Sequence, residues 1–139
     1  MSQLLLQAAE TGDLSRVQEL LATGADRDAR DADGATALMR AAHAGRLDVV
    51  CALIDAGADV NATDPQGWGA LAKAVHNPDL DRGFTDVVEA LIQAGANVEA
   101  AIGYGIRPLM LAAAYGETAV VEALLKAGSR PALIEGERR

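Results

Sequence analysis

Thr36-Ala37-Leu38-Met39-Arg40-Ala41-Ala42-His43-Ala44-Gly45 reads as a short helix with both ends marked. Thr36 is an N-cap, because its hydroxyl can accept a backbone N–H that the first turn leaves unpaired. Gly45 is a C′ residue, free to take the left-handed conformation that ends a helix. Leu47-Asp48-Val49-Val50-Cys51-Ala52-Leu53-Ile54-Asp55-Ala56-Gly57 follows. Val49, Val50, Leu53 and Ile54 make one apolar stripe along a second helix, which Gly57 ends. Ala58-Asp59-Val60-Asn61-Ala62 and Asp64-Pro65-Gln66-Gly67 are rich in turn formers, so an extended turn leads onward.

The same unit recurs. Gly24, Gly57, Gly95 and Gly128 are spaced by 33, 38 and 33 residues, as are Gly12, Gly45, Gly83 and Gly116. Gly34, Gly67 and Gly105 repeat the 33 and 38, and His43 and His76 stand 33 apart. The period is therefore 33, with five extra residues, Pro78-Asp79-Leu80-Asp81-Arg82, in one unit. Val17, Val50, Val88 and Val121 align, as do Leu20, Leu53, Leu91 and Leu124. Leu21, Ile54, Ile92 and Leu125 form a third column. Ala8-Ala9, Ala41-Ala42, Ala74-Val75 and Ala112-Ala113 align on the first helices, where small side chains let neighbours approach closely. A lone helix pair cannot bury such stripes, but stacked pairs can. The expected fold is an all-α solenoid of helix-turn-helix units with extended, β-turn-like connections. Its units are residues 1–30, 31–63, 64–101 and 102–130 of a single domain, with a tail at 131–139.

Composition agrees. Half of the 139 residues are hydrophobic but only 3% are aromatic, so a core of this size must be packed from aliphatic side chains. The formal charge of −8 argues against nucleic acid, which demands clustered Lys and Arg. It favours a basic protein partner through steering. The single Cys51 excludes an internal disulfide and a Cys-cluster metal site, and fits a reducing compartment. Met1-Ser2-Gln3-Leu4-Leu5-Leu6-Gln7 lacks the basic start of a signal peptide, and no run reaches the ~18 apolar residues of a membrane span. The expected setting is cytoplasmic, without membrane contact.

The repeat resembles the ankyrin family. Asp33-Gly34-Ala35-Thr36-Ala37-Leu38 is similar to its D-G-x-T-P-L opening, with Ala37 in place of Pro, and Gly57-Ala58-Asp59-Val60-Asn61-Ala62 is similar to its closing G-A-D-V-N-A. Arg107-Pro108-Leu109 keeps Pro-Leu without the Thr, Gly67-Trp68-Gly69-Ala70-Leu71 has neither Thr nor Pro, and Gly95-Ala96-Asn97-Val98-Glu99-Ala100 is a looser closing match. The resemblance runs from about Leu4 to Ser129. Fold-level likeness by itself says little about function.

Nothing in the chain reads as a catalytic constellation, and no cofactor is expected. Cys51 lies mid-helix with no base beside it in the pattern, which suits an inert thiol. His43 and His76 could come together across stacked units, but a structural metal site wants four ligands. A metal or enzymatic role for these two histidines is the competing class. Asp26-Arg27-Asp28-Ala29-Arg30-Asp31-Ala32-Asp33-Gly34 is not a calcium loop: with Gly34 at position six, positions one and twelve are Ala29 and Arg40. It reads as a solvated turn with local ion pairs. Gly103-Tyr104-Gly105 fails the dinucleotide pattern, because Pro108 stands where the third glycine belongs.

What remains is surface. The resemblance implies a partner meeting the concave side, made of turn tips and first-helix faces. Carried over unit by unit, those positions are Ala32, Asp33, Ala35, His43 and Ala44; then Pro65, Gln66, Trp68, His76 and Asn77; then Gly103, Tyr104, Ile106, Ala114 and Tyr115. Three of the four aromatics fall there, the composition of an interface hot spot. The competing account is that Trp68 and Tyr104 only cover a weakened third turn. Phe84, the fourth aromatic, is expected to anchor the inserted loop. The function expected is non-catalytic binding of another protein that carries a basic patch, by a chain monomeric on its own. Ten Arg against two Lys in a small Ala-rich chain resembles bacterial ankyrin proteins, and an inhibitor or immunity protein of a toxin is one concrete form. A designed or selected binder is the alternative, against which the irregular third unit stands. Leu133 and Ile134 are expected to fold back over the last stripe, Val120, Val121, Leu124 and Leu125.

Overall fold

The computed structural model describes residues 2–75, 77, 83–102 and 105–128. Among these residues the chain forms eight helices: α1 (Ser2–Thr11), α2 (Leu14–Ala22), α3 (Ala37–Ala44), α4 (Leu47–Asp55), α5 (Ala70–Val75), α6 (Thr85–Gln93), α7 (Pro108–Ala114) and α8 (Thr118–Lys126). They pack as four pairs, α1 with α2 through α7 with α8. The first helices stack in one layer, α1 on α3 on α5 on α7, and the second helices in another, α2 on α4 on α6 on α8. This is the all-α solenoid the repeat implies. Among the described residues the extended connections carry isolated antiparallel bridges, Arg30 with Thr36, Thr63 with Gly69 and Ile102 with Ile106.

Local chemistry sets the helix starts. Thr36 caps α3 by accepting the Met39 N–H at 3.3 Å, and the Met39 sulfur accepts the Thr36 N–H in return. Arg107 offers α7 no side-chain cap, but Pro108 at the first turn has no N–H to satisfy. The third pair has Gly69 at the equivalent place, and α5 is the shortest helix, at six residues.

Stacking depends on small residues. Ala9, Ala42 and Val75 are fully buried between layers, and Val17, Val50, Val88, Leu53, Leu91 and Leu124 make the sealed stripe of the second helices. Each pair is closed by the same backbone bond: Asp13 N–H to Ala8, Arg46 N–H to Ala41 and Glu117 N–H to Ala112, five residues apart. In the third pair the bond runs from Phe84 to Ala74, ten residues apart. The five additional residues are thus accommodated between α5 and α6 without changing the pairing, as a loop insertion on a solenoid edge should be. Residues 78–82 themselves lie outside the described set.

Phe84 does something the sequence does not reveal. It is 5% exposed, and its ring lies on Gly45 of the preceding pair. Gly45 takes the left-handed conformation at φ 74°, and a Cβ there would overlap that ring. Gly83 belongs to the same glycine column for a different reason: its φ is not positive, but a Cβ would strike the Val75 carbonyl oxygen. The last stripe is also divided. Val120 and Leu124 are buried within their own pair, while Val121 is half-buried and Leu125 is 44% exposed.

These two glycine requirements separate experimentally. Gly95 has φ 99° and open space around its missing Cβ, so Gly95→Ala should cost about 1–2 kcal/mol, from the backbone alone. Gly45→Ala should cost at least about 1 kcal/mol more, because the Phe84 ring must also move. Urea unfolding of the two variants gives both values from the shift in midpoint at constant slope.

Candidate functional site

The turn tips and first helices enclose a groove on one side of the stack. Its larger part, a cleft of about 670 Å³, is lined by Asp33, Ala35, His43 and Asn77 together with charged residues of the first three pairs. A second part, of about 400 Å³, continues from it and is lined by His43, Gln66, Trp68, Lys73, Leu111 and Tyr115. The two parts share His43, Asp64, Gln66 and Lys73, so the groove is continuous across the second, third and fourth pairs.

Two of the tips are held by one carboxylate each. Asp31 Oδ1 accepts the N–H groups of Asp33 at 2.8 Å and Ala35 at 2.9 Å. Its Oδ2 accepts Nε and Nη2 of Arg40, at 2.8 and 2.5 Å. Asp64, thirty-three residues on, repeats this: Oδ1 accepts the N–H groups of Gln66 at 3.0 Å and Trp68 at 2.9 Å, and Oδ2 pairs with Lys73 Nζ at 3.1 Å. The backbone of Trp68 is therefore fixed by a nearly buried carboxylate. Arg40 also reaches Glu10 of the first pair at 2.6 Å, and Arg46 Nε donates to the Glu10 carbonyl at 3.1 Å. Burial opposes the charge on Asp31, but the Ala35 N–H, the Arg40 guanidinium and the Asp33 N–H outweigh it and hold the carboxyl below the usual carboxylate range.

The fourth pair breaks this pattern. Ile102 occupies the column of Asp31 and Asp64, and Leu111 the column of Arg40 and Lys73. Ile102 exchanges backbone bonds with Ile106 and offers no carboxylate. One end of the groove is thus lined by the ion pairs of Asp31 and Asp64, and the other adds Trp68, Leu111 and Tyr115 to the Asp64–Lys73 pair that both ends share. Most of the charge is neutralised within the wall. Asp33 is the lining carboxylate with no ion pair among the described residues. The exposed carboxylates Asp48, Asp55, Asp86 and Glu89 sit elsewhere, on α4 and α6, helices without a Lys or Arg.

The expected contact residues fare differently. Asp33 and Gln66 are exposed at neighbouring tips, Ala35 and His43 are half-buried in the wall, and Trp68 is half-buried above them. Tyr115 is 54% exposed. Ile106 is 42% exposed at its tip and does not line the groove. Asn77 corrects the sequence reading. It was expected on the surface, yet it is only 4% exposed, because its Nδ2 donates to the His43 carbonyl at 2.6 Å and satisfies an end group of α3. It belongs to the floor of the groove. His76, Tyr104 and Gly103 lie outside the described residues. Sequence reasoning missed Asp31, Arg40, Asp64, Lys73 and Leu111, although the 33-residue spacing of both charged columns, and their interruption at Ile102 and Leu111, was there to be read. Among the described residues, no three His, Cys, Asp or Glu side chains are grouped to hold a metal ion, and no helix is long and apolar enough to cross a membrane.

Comparison with protein families places this architecture. The profile of ankyrin repeats in three copies matches residues 5–102, and that of the single ankyrin repeat matches 104–134. The chain belongs to the ankyrin-repeat family. Ankyrin repeats are generally protein–protein interaction modules. Comparison with the curated proteins finds no match.

The Asp31 network predicts a particular acid response. A carboxyl whose folded pKa is lowered stabilises the fold above its unfolded pKa, and that contribution is lost as pH falls through the folded value. Asp31→Asn should cost about 1.5–3 kcal/mol at neutral pH, the worth of hydrogen bonds to a charged group. The difference from the parent should narrow below about pH 4, where the unfolded carboxyl protonates, and close once the folded carboxyl is protonated. Urea unfolding across pH 2 to 7 checks it, and a gap that stays constant with pH contradicts it.

Proposed function

We propose that this chain captures another protein by seating a segment of it in the groove, with one bulky apolar side chain of the partner held between Trp68, Leu111 and Tyr115. The observation that carries this is the replacement of the charged columns by Ile102 and Leu111 in the fourth pair, which sets Trp68, Leu111 and Tyr115 beside the Asp64–Lys73 ion pair at that end of the groove. Residues of three helix pairs meet there, as a preformed interface requires. Apolar and aromatic anchors dominate binding energy where they fill a desolvated site. A basic group of the partner would face Asp33, which forms no ion pair among the described residues, and Gln66 supplies hydrogen bonds at the next tip. The action is steric: the partner surface that enters the groove is closed to other uses, as an inhibitor would close it. No step of it is chemical.

The test uses the partner isolated from the source cell on immobilised full chain, then measured by calorimetry. Trp68→Ala and Tyr115→Ala should each weaken binding by about 2 kcal/mol or more, at least tenfold in Kd. Glu89→Gln on the outer helices should leave it within about twofold. Unfolding midpoints of the two groove variants should stay near that of the parent. Binding that survives both groove substitutions, or that Glu89→Gln weakens more than they do, contradicts this reading.

A further inference from the structure

Arg46 is exposed, lines the charged part of the groove and forms no ion pair among the described residues. Its side chain is nevertheless held. Nε donates to the Glu10 carbonyl at 3.1 Å, near the C-terminal end of α1, and the stem crosses Gly12. A Cβ on Gly12 would stand 2.8 Å from Arg46 Cδ and 3.0 Å from Nε, so the bare glycine makes the seat, as Gly45 does for the Phe84 ring. Asp13, Phe84 and Glu117 occupy the same column in the other pairs, so Arg46 is the one cation of that column. The bond to Glu10 uses one of the five N–H donors of a guanidinium, and the two Nη groups keep the other four. Neither Nη group donates to another protein group among the described residues. The carboxylates that line the cleft beside it, Glu10 and Asp31, are both engaged by Arg40. Asp33 and Arg46 therefore present one unpaired charge each, of opposite sign. They stand before and after α3, whose eight residues span about 12 Å.

We propose that the segment seated in the groove carries an Asp or Glu side chain whose carboxylate takes the two Nη groups of Arg46. This rests on the groove reading above and adds a second fixed point, which sets the direction of the segment along the stack. A guanidinium already held by its stem loses little freedom on forming a two-point bond to a carboxylate. The acidic side chain is required by charge. A segment with basic residues alone would leave Arg46 facing its like, while one with both signs matches Asp33 at one end of α3 and Arg46 at the other. Spacing along the segment follows from the stack. The Arg46 seat is shared by the first and second pairs, and Trp68, Leu111 and Tyr115 meet between the third and fourth. Neighbouring helices of a layer lie about 10 Å apart, so the two sites are separated by about 20 Å, twice that interval. An extended chain covers this in about six residues. The acidic residue of the segment thus stands about six positions from the apolar anchor, with the basic residue that faces Asp33 between them.

A display library of random twelve-residue peptides, panned on the immobilised full chain, tests it. Recovered peptides should combine a bulky apolar residue with Asp or Glu about six positions away. Calorimetry with one such peptide then measures the contact. Replacing its acidic residue by the matching amide should weaken binding to the parent chain at least about tenfold, and Arg46→Gln should weaken the unchanged peptide as much. Both changes together should weaken it no further than the larger of the two, because each removes the same contact. The peptide substitution needs no variant of the protein, so the result stands even if Arg46→Gln fails to fold. Recovered peptides without an acidic preference, or binding that the amide leaves unchanged, overturn this inference. If Trp68→Ala still weakens those peptides tenfold, the groove reading survives it. Peptides that Trp68→Ala does not weaken, or a library that yields none, contradict both.

Discussion

Close approach between neighbouring helix pairs is the constraint on which the rest depends. Ala9, Ala42 and Val75 are fully buried where one first helix meets the next, and a side chain longer than these would push neighbouring helices apart. A stack built on that spacing fills its interior with Val, Leu and Ala and has little room for rings. Phe84, the one ring buried among the described residues, lies over a glycine, which removes the side chain it would otherwise strike. Trp68 and Tyr115 are displaced to the groove by the same packing. The aromatic end of the groove is therefore a consequence of how the core is made.

A second layer of organisation is polar. Asp31 and Asp64 each gather two tip N–H groups and one cation, so each tip is locked to the first helix that follows it. Contacts between tips run along the stack too: the Asp59 N–H bonds Asp28 Oδ1, and the Asn97 N–H bonds Asn61 Oδ1. This edge fixes the backbone of Trp68 through Asp64, and in the proposed function such a preformed tip would lower the ordering cost of binding. It also neutralises most of the groove. The chain is acidic as a whole, yet the groove is mixed in charge along its length, with Trp68, Leu111 and Tyr115 gathered at one end.

Much of the fold was legible because it is written in side chains that act locally. Thr36 and Gly45 mark the ends of α3 by capping, and the Val and Leu columns mark the buried stripe by period. The loop insertion was visible as a break in glycine spacing. Phe84 and Asn77 were not legible, because their roles depend on which atoms the neighbouring pair presents: a bare Gly45 turn in one case and the His43 carbonyl in the other. The same holds for Gly83, whose column suggests a positive φ and whose actual reason is a carbonyl 8 residues earlier in the chain. Of the groove, the aromatic residues could be picked out by composition. The carboxylate columns that hold them needed the repeat to be read for charge as well as for apolar residues.

Trp68 is the only tryptophan, so its emission reports on the groove without any label. Acrylamide quenching of the folded chain, alone and saturated with its protein partner, tests most directly whether the core releases its rings to a binding surface. The account predicts ready quenching in the free chain, still short of that in urea, and strong protection in the complex. A tryptophan as shielded in the free chain as a core residue, or one whose quenching is the same with partner bound, would contradict it.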